Sequence, residues 1–154
     1  MTGAHWLEDP PLDLLELDPG RLEIKLRAST EPSGLYTAVP IVMGDRSSRR
    51  VQGRLVAWGR RRGEYRWRYL LVVWPDRQAD ARGRLAWLWR SGWCVFDPRR
   101  VRPAHRSEVV HGGATDAANL SAAIRRAMPP GAEAALPPSP STSLSPSPEP
   151  EPYR

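Results

Sequence analysis

The chain has a single cysteine, Cys94, among its 154 residues, which excludes an internal disulfide and any multi-cysteine zinc site. No run of apolar residues approaches the roughly 20 that are needed to cross a bilayer. The first residues, 2–9, lack a basic segment followed by an apolar one, so we expect no secretory signal. These absences predict a cytoplasmic protein without membrane contact.

Lysine is scarce as well, because Lys25 is the only lysine beside 22 arginines. The net charge of +6 is uneven: residues 46–106 carry 17 arginines and four acidic residues, a net charge of +13. Residues 1–45 have a net charge of −5, and residues 107–154 a net charge of −2. A basic middle between acidic flanks is typical of an anion-binding surface. GC-rich codon usage explains arginine in place of lysine, but not its concentration in the middle.

Residues that could carry catalysis are few. Cys94 lies among aromatic residues, where a free cysteine is usually a small core side chain. His5, His105 and His111 lack the spacing of metal ligands, and the Gly-Gly turn at 112–113 has no P-loop lysine. We therefore predict no enzyme, no cofactor and no metal site.

Tryptophan and arginine alternate in the middle of the chain. Six of the seven tryptophans lie between Trp58 and Trp93. Residues 66–69 read Arg-Trp-Arg-Tyr, and residues 84–90 read Arg-Leu-Ala-Trp-Leu-Trp-Arg. A period of two places alternate side chains on opposite faces of a strand, so we expect one buried aromatic face and one solvated cationic face.

The fold class predicted from this pattern is mainly β, a small SH3-like antiparallel barrel followed by a short C-terminal helix and a disordered tail. The predicted strands cover residues 21–27, 35–43, 51–59, 65–74, 84–90 and 93–96, with a last pairing near 101–103. Residues 75–83 are predicted as a loop and Ser91-Gly92 as a tight turn. Four motifs follow one another in the predicted strands: a Val-x-Gly-x-Leu-Val-x-Trp strand, a strand ending Val-Trp-Pro-Asp, a Leu-Ala-Trp strand and a closing Val-Arg-Pro. This order resembles that of Tudor- and KOW-type modules. The resemblance covers about residues 35–103 and concerns the fold type.

The domain organisation follows from composition. The predicted units are an acidic N-terminal arm (1–20), the β-barrel domain (21–106), a linker (107–114), a helix (115–128) and a Pro/Ser-rich tail (129–154). Pro10-Pro11 followed by leucines and acids predicts a further short helix that ends at Pro19-Gly20. Thr115 or Asp116 is expected to cap the C-terminal helix.

The arginine-rich outer face predicts a nucleic-acid-binding module, for DNA or RNA, with little sequence selectivity. The residues expected to contact phosphates are Arg54, Arg60, Arg61, Arg62, Arg66, Arg68, Arg84 and Arg90. Trp58 and Trp74 fall out of phase with the aromatic face, so they are candidates for exposed rings on which bases stack. A bulge or reversed burial would instead place both rings in the core.

Two alternatives remain open at this stage. The protein is also consistent with a protein-interaction or structural module that uses the barrel groove or the helix at 115–128. The arginines would then meet an acidic surface or stay solvated. We further consider that the acidic arm (1–20) covers the basic face. The sequence predicts no oligomeric state.

Overall fold

The computed structural model describes residues 5–44, 50–108, 116–132 and 136. The described chain is mainly β, with one α-helix and two short 3₁₀ segments at Pro19–Arg21 and Arg106–Glu108. The elements are β1 (His5–Trp6), β2 (Leu14–Leu15), β3 (Leu22–Leu26), β4 (Ser29–Thr30), β5 (Tyr36–Thr37), β6 (Val39–Met43), β7 (Val51–Arg61), β8 (Tyr69–Ala79), β9 (Leu85–Val95), β10 (Val101–Pro103) and α1 (Ala117–Ala127).

Eight of these strands form one antiparallel sheet, in the order β10-β6-β7-β8-β9-β2, with β3 paired to β7 and β1 paired to β8. β4 and β5 form a separate two-stranded ribbon. The large sheet curls into a half barrel but stays open, so a mainly β, barrel-like fold is confirmed and a closed SH3-like barrel is not.

The centre of the sheet is buried on both faces. On β8, Tyr69, Leu71 and Val73 pack in one core with residues of α1, whereas Leu70, Val72 and Trp74 pack in a second core inside the curl. The expectation of one buried and one solvated face is therefore wrong for β8. The physical reason is that α1 covers one face and the curl of the sheet closes over the other. Six consecutive apolar residues, 69–74, are the sequence signal of such a doubly buried strand.

The boundaries of β8 also differ from the prediction. The strand begins at Tyr69 instead of Tyr65, and it continues through Pro75 to Ala79 instead of ending at Trp74. The nitrogen of Pro75 faces the edge of β8 that pairs first with β7, as far as Arg54 and Val73, and then with β1. Pro75 lies in the gap between these two pairings, so its missing N–H removes no hydrogen bond from the sheet. Residues 62–68 are consequently a loop.

β9 is one continuous strand, so the tight turn predicted at Ser91-Gly92 is wrong. Gly92 lies opposite Val72 in the ladder with β8. A Cβ at Gly92 would lie 2.8 Å from a methyl group of Leu14 on β2. The glycine thus permits close packing of β2 on the sheet instead of reversing the chain.

The N-terminal segment forms strands and no helix. Leu14 and Leu15 pair with Cys94 and Trp93 of β9, and Leu12 is buried in the core inside the curl. A short isolated helix is marginal in water, whereas pairing with the sheet satisfies the backbone and buries Leu12. The helix predicted after Pro10-Pro11 is therefore wrong.

The C-terminal helix is confirmed. α1 spans Ala117–Ala127, and the Asp116 side chain caps it by accepting from the backbone N–H of Asn119. Leu120, Ala123 and Ile124 face the sheet and are buried with Tyr69 and Trp93. The Ser121 hydroxyl accepts from the Tyr36 N–H over 2.8 Å, which attaches the helix to β5. Thr115 and nearly all of the tail (129–154) beyond Ala132 lie outside the described residues.

Candidate functional site

The two tryptophans considered as stacking rings are buried. Trp58 and Trp74 both belong to the core inside the curl. For Trp58 the cause is a β-bulge: the register of β7 shifts between Leu55 and Ala57, which turns Trp58 onto the face that Leu55 occupies. Trp74 continues the inward face of β8. Neither ring can stack on a ligand, and the interpretation as core residues is the correct one.

Two of the eight selected arginines are engaged within the sheet, Arg54 as a buried side chain and Arg90 as a half-buried one. Arg54 is only 8% exposed, donates to the Gly53 carbonyl over 3.1 Å, and burial lowers its pKa. Arg90 pairs with the buried carboxylate of Asp76 over 3.2 Å and also donates to the Glu8 carbonyl. Its guanidinium lies 5.1 Å from the Trp6 ring centroid and 5.6 Å from that of Trp74. Both guanidiniums have partners within the chain, so the expectation that they lie on a solvated outer face of the sheet is wrong.

Arg84 stands apart from the other exposed arginines. It lies in the turn between β8 and β9 and bridges to Asp80 over 3.4 Å. The remaining candidates lie at the opposite end of β8, which is 11 residues long and therefore about 35 Å in length. The single arginine face expected from the sequence is thus divided between the two ends of β8.

The cluster at the other end is the arginine hairpin, residues 60–68, which joins β7 to β8. It contains five arginines and one glutamate, a net charge of +4. No other stretch of this length in the chain has a larger positive charge. Like charges held this close repel each other, so the local structure has to fix them.

Arg60 fixes the base of the arginine hairpin. Its guanidinium donates twice to one oxygen of Glu23 on β3, over 2.9 and 3.1 Å, and once to the Tyr65 carbonyl over 2.9 Å. It also stacks on the Trp67 ring, 4.3 Å from the centroid. This hydrogen bonding lowers the pKa of Glu23. Arg60 is therefore occupied by the chain itself and positions the loop.

The tip of the hairpin is a tight turn. The Glu64 side chain accepts from the Arg61 N–H over 3.0 Å and bridges to Arg68 over 3.5 Å. Gly63 has a φ of +88°, a conformation that a glycine adopts without strain. Arg61 donates to the Tyr69 hydroxyl over 2.6 Å. The backbone is fixed while the guanidiniums of Arg61 and Arg68 keep one side toward solvent.

Three side chains of the hairpin point into solvent. Arg62 and Arg66 are exposed, and within the described chain neither forms a salt bridge. Arg62 lowers the pKa of Glu23 through a longer-range Coulombic interaction. Tyr65, between them, is 81% exposed, the largest exposure among the large hydrophobic side chains described. Sequence reasoning missed Tyr65 because it placed this residue at the start of a strand. The apolar run beginning at Tyr69 would have left residues 62–68 as a loop.

Among the described residues, no cluster of three histidine, cysteine or acidic side chains could hold a metal ion. Cys94 is confirmed as a core residue, and its burial raises the pKa of the thiol to about 12. His111 and the Gly-Gly turn lie outside the described residues. The described helix is too short to span a membrane.

Comparison of the chain with protein-family models, with curated proteins and with solved structures gave no match.

Proposed function

We propose that this protein is a non-enzymatic nucleic-acid-binding module and that the arginine hairpin (residues 60–68), not the outer face of the sheet, is its binding site. The observation that carries the proposal is the exposed Tyr65 ring, which lies along the sequence between two exposed arginines, Arg62 and Arg66. An exposed aromatic ring flanked by exposed arginines supplies the two contacts that single-stranded nucleic acid requires: a surface for base stacking and cations for the phosphates.

Single-stranded DNA or RNA suits this site better than a duplex. In a duplex the bases are stacked on one another, so Tyr65 would have no base to contact. In an unpaired strand one base can stack on Tyr65 while the flanking phosphates meet Arg62 and Arg66. Such contacts do not read base edges, so we expect little sequence selectivity.

Arg61 and Arg68 support the site from its base. Both guanidiniums lie near the Tyr69 ring, 5.2 and 5.8 Å from its centroid, and each has an exposed side. Three arginines, Arg61, Arg62 and Arg66, are then available for phosphates, since Arg60 is bound to Glu23 and Arg68 bridges to Glu64. For single strands the log–log dependence of affinity on salt would have a slope of about −2.

The test is a titration of a labelled single-stranded oligonucleotide of mixed sequence, followed by fluorescence anisotropy at several salt concentrations. We expect binding that weakens with salt at the slope above, and weaker binding to a duplex of the same length. Tyr65→Ala should lose about 1–3 kcal/mol of binding free energy, the value of one stacked base. Tyr65→Phe keeps the ring and should retain the affinity. Absence of binding at low salt, or binding that is independent of salt, contradicts the proposal.

A further inference from the structure

We propose that two copies of this chain associate through the exposed edge of β9, residues 85–90, to form an antiparallel sheet that is continuous across the dimer. Among the described strands, β2 alone pairs with β9 on this side, opposite Cys94 and Trp93. Within the described chain no strand covers residues 85–90, which we call the free edge. This inference is independent of the proposed function, because it uses the opposite end of β8.

The free edge is apolar and exposed, which is unusual for a strand end. Leu85, Trp87 and Leu88 are 56%, 60% and 43% exposed. The expectation that the aromatic face of residues 84–90 is buried is therefore wrong for Leu85 and Trp87. Five consecutive apolar residues, 85–89, normally indicate burial on both faces. A long apolar edge left open is a template for pairing with another strand.

The backbone of the free edge is oriented for such pairing. Asp80 N–H donates to the Arg84 carbonyl, Phe96 N–H donates to the Arg68 carbonyl, and the register of β8 and β9 is continuous between these ends. Hydrogen bonding alternates along an antiparallel pair, so the even-numbered residues of β9 bond to β8. Leu85, Trp87 and Trp89 therefore direct their N–H and C=O groups away from β8.

The sequence of the free edge is self-complementary, and this is the argument for a second copy. A two-fold axis at Trp87 places Trp87 opposite its own copy, Leu85 opposite Trp89 and Ala86 opposite Leu88. Each of the three outward-facing residues then meets an outward-facing residue of the other copy. Their backbones exchange about six hydrogen bonds, and their side chains form one aromatic patch.

The charges around the free edge favour an uncharged partner surface over a nucleic acid. Arg77, Arg84 and Arg90 are bridged to Glu8, Asp80 and Asp76 respectively. Arg77 also lies 5.8 Å from the Trp87 ring centroid. Arg84 would face Arg90 of the second copy, but each keeps its own carboxylate. The local charge is thus nearly balanced, in contrast to the arginine hairpin.

A pairing of six residues buries less area than the roughly 800 Å² per partner of a standard interface, so we expect a weak, concentration-dependent dimer. The dimer would place the two arginine hairpins at opposite ends of the joint sheet. Each hairpin lies about 30 Å along β8 from the position of Trp87.

The first experiment is sedimentation velocity of the nuclease-treated full chain over a wide range of protein concentration. We expect a monomer–dimer equilibrium for the native chain. Trp87→Lys places two ammonium groups opposite each other and should weaken the dimer at least about tenfold. Val95→Lys introduces the same charge on the same strand beyond the free edge, and it should dimerise like the native chain. A native chain that stays monomeric, or equal effects of the two variants, overturns the proposal.

The second experiment tests the register by disulfide cross-linking. The native chain provides no competing surface thiol, because Cys94 is buried. Trp87→Cys should form a disulfide-linked dimer on mild oxidation, since directly opposed Cα atoms lie about 5.5 Å apart. Leu85→Cys should not, since its two copies would lie about 13 Å apart. Cross-linking of Leu85→Cys equal to that of Trp87→Cys overturns the antiparallel register, and so does failure of Trp87→Cys to cross-link.

Discussion

Arg90 on β9 and Asp76 on β8 form an ion pair within the sheet, with a nitrogen–oxygen distance of 3.2 Å and side chains that are 16% and 3% exposed. The Asp76 carboxylate also accepts from the Arg77 N–H, and the Arg90 guanidinium also donates to the Glu8 carbonyl. The pair therefore ties β8, β9 and the segment after β1 together. A buried charge that loses its partner is much more costly than an exposed one.

Arg90→Gln should lower the free energy of unfolding by about 3 kcal/mol or more, because it leaves the Asp76 carboxylate buried without a cation. Arg84→Gln removes an exposed partner of Asp80 and should cost less than about 1 kcal/mol. Chemical denaturation at neutral pH measures both. Equal costs for the two variants would show that the Arg90 pair is not the structural element described.

Gly53 should be the glycine that tolerates substitution least. A Cβ at this position would collide with the carbonyl oxygen of Val73, a backbone atom that cannot move aside. Gly53→Ala should therefore cost about 2–3 kcal/mol of unfolding free energy, typical of overpacking. At Gly92 the obstacle is the flexible side chain of Leu14, so Gly92→Ala should cost less. Thermal unfolding that ranks the two variants in the reverse order would contradict the packing of β7 on β8.

The tryptophans divide into structural and surface residues. Trp74 is fully buried, and Trp74→Ala should cost about 3–5 kcal/mol of unfolding free energy. Trp87 is 60% exposed, so Trp87→Ala should cost less than about 1 kcal/mol in dilute protein, where the chain is monomeric. Denaturant midpoints of the two variants provide the measurement. A large loss of stability for Trp87→Ala would mean that the chain itself covers the free edge.

Acid should weaken the attachment of the Arg106–Glu108 turn. Arg102 donates to both carboxylate oxygens of Glu108, over 2.9 and 2.6 Å, and this lowers the pKa of Glu108 to about 2 from a usual 4.5. A lowered folded-state pKa contributes stability that is fully present above about 4.5 and is lost as the pH falls toward 2. Glu108→Gln lacks this contribution at every pH.

The melting temperature of the native chain should therefore fall more steeply between pH 4.5 and pH 2 than that of Glu108→Gln. Other acidic residues titrate in both proteins, so the difference between the two slopes isolates Glu108. Parallel curves across this range would contradict the assigned pKa.

The sequence predicted the mainly β class, β3, most of β7 and the C-terminal helix with its Asp116 cap. Each of these has a local signal: alternating residues for the strands, and a capping residue before apolar positions at helical spacing. The predicted bounds of β8, the strand that contains Trp74, were shifted because Pro75 is a strong local signal for a loop. Whether a strand tolerates a proline depends instead on where its neighbouring strands end. That information is tertiary and has no counterpart in the sequence around Pro75.

The sequence indicated which residue types form the candidate site, but not how those residues are arranged in space. The sequence shows the arginines of the hairpin as a charged group, but alternation could not reveal that Arg60 binds Glu23, 37 residues away. It also could not reveal that Arg90 binds Asp76 across the ladder. Partners of buried cations depend on strand register, which a one-residue bulge such as that on β7 changes.

The described part of the acidic N-terminal arm, residues 5–20, contributes two short strands to the sheet. β1 and β2 both pair with it, and Glu8 bridges Arg77 at the end of β8 opposite the arginine hairpin. The hypothesis that this arm covers the basic face stays a prediction. Deleting it would remove two strands, so charge-neutralising substitutions of its exposed acids are the appropriate test.

The central claim, that the arginine hairpin binds nucleic acid, is tested most directly by two charge-matched double variants in the same single-strand binding titration. Arg62→Ala/Arg66→Ala removes two exposed arginines from the hairpin, and Arg82→Ala/Arg84→Ala removes two from the turn at the other end of β8. We predict that the first loses affinity at least about tenfold and that its salt slope decreases in magnitude by about 1.4, while the second stays within about threefold of the native chain. Equal losses for the two variants would contradict the account, because binding would then follow total charge and not the hairpin.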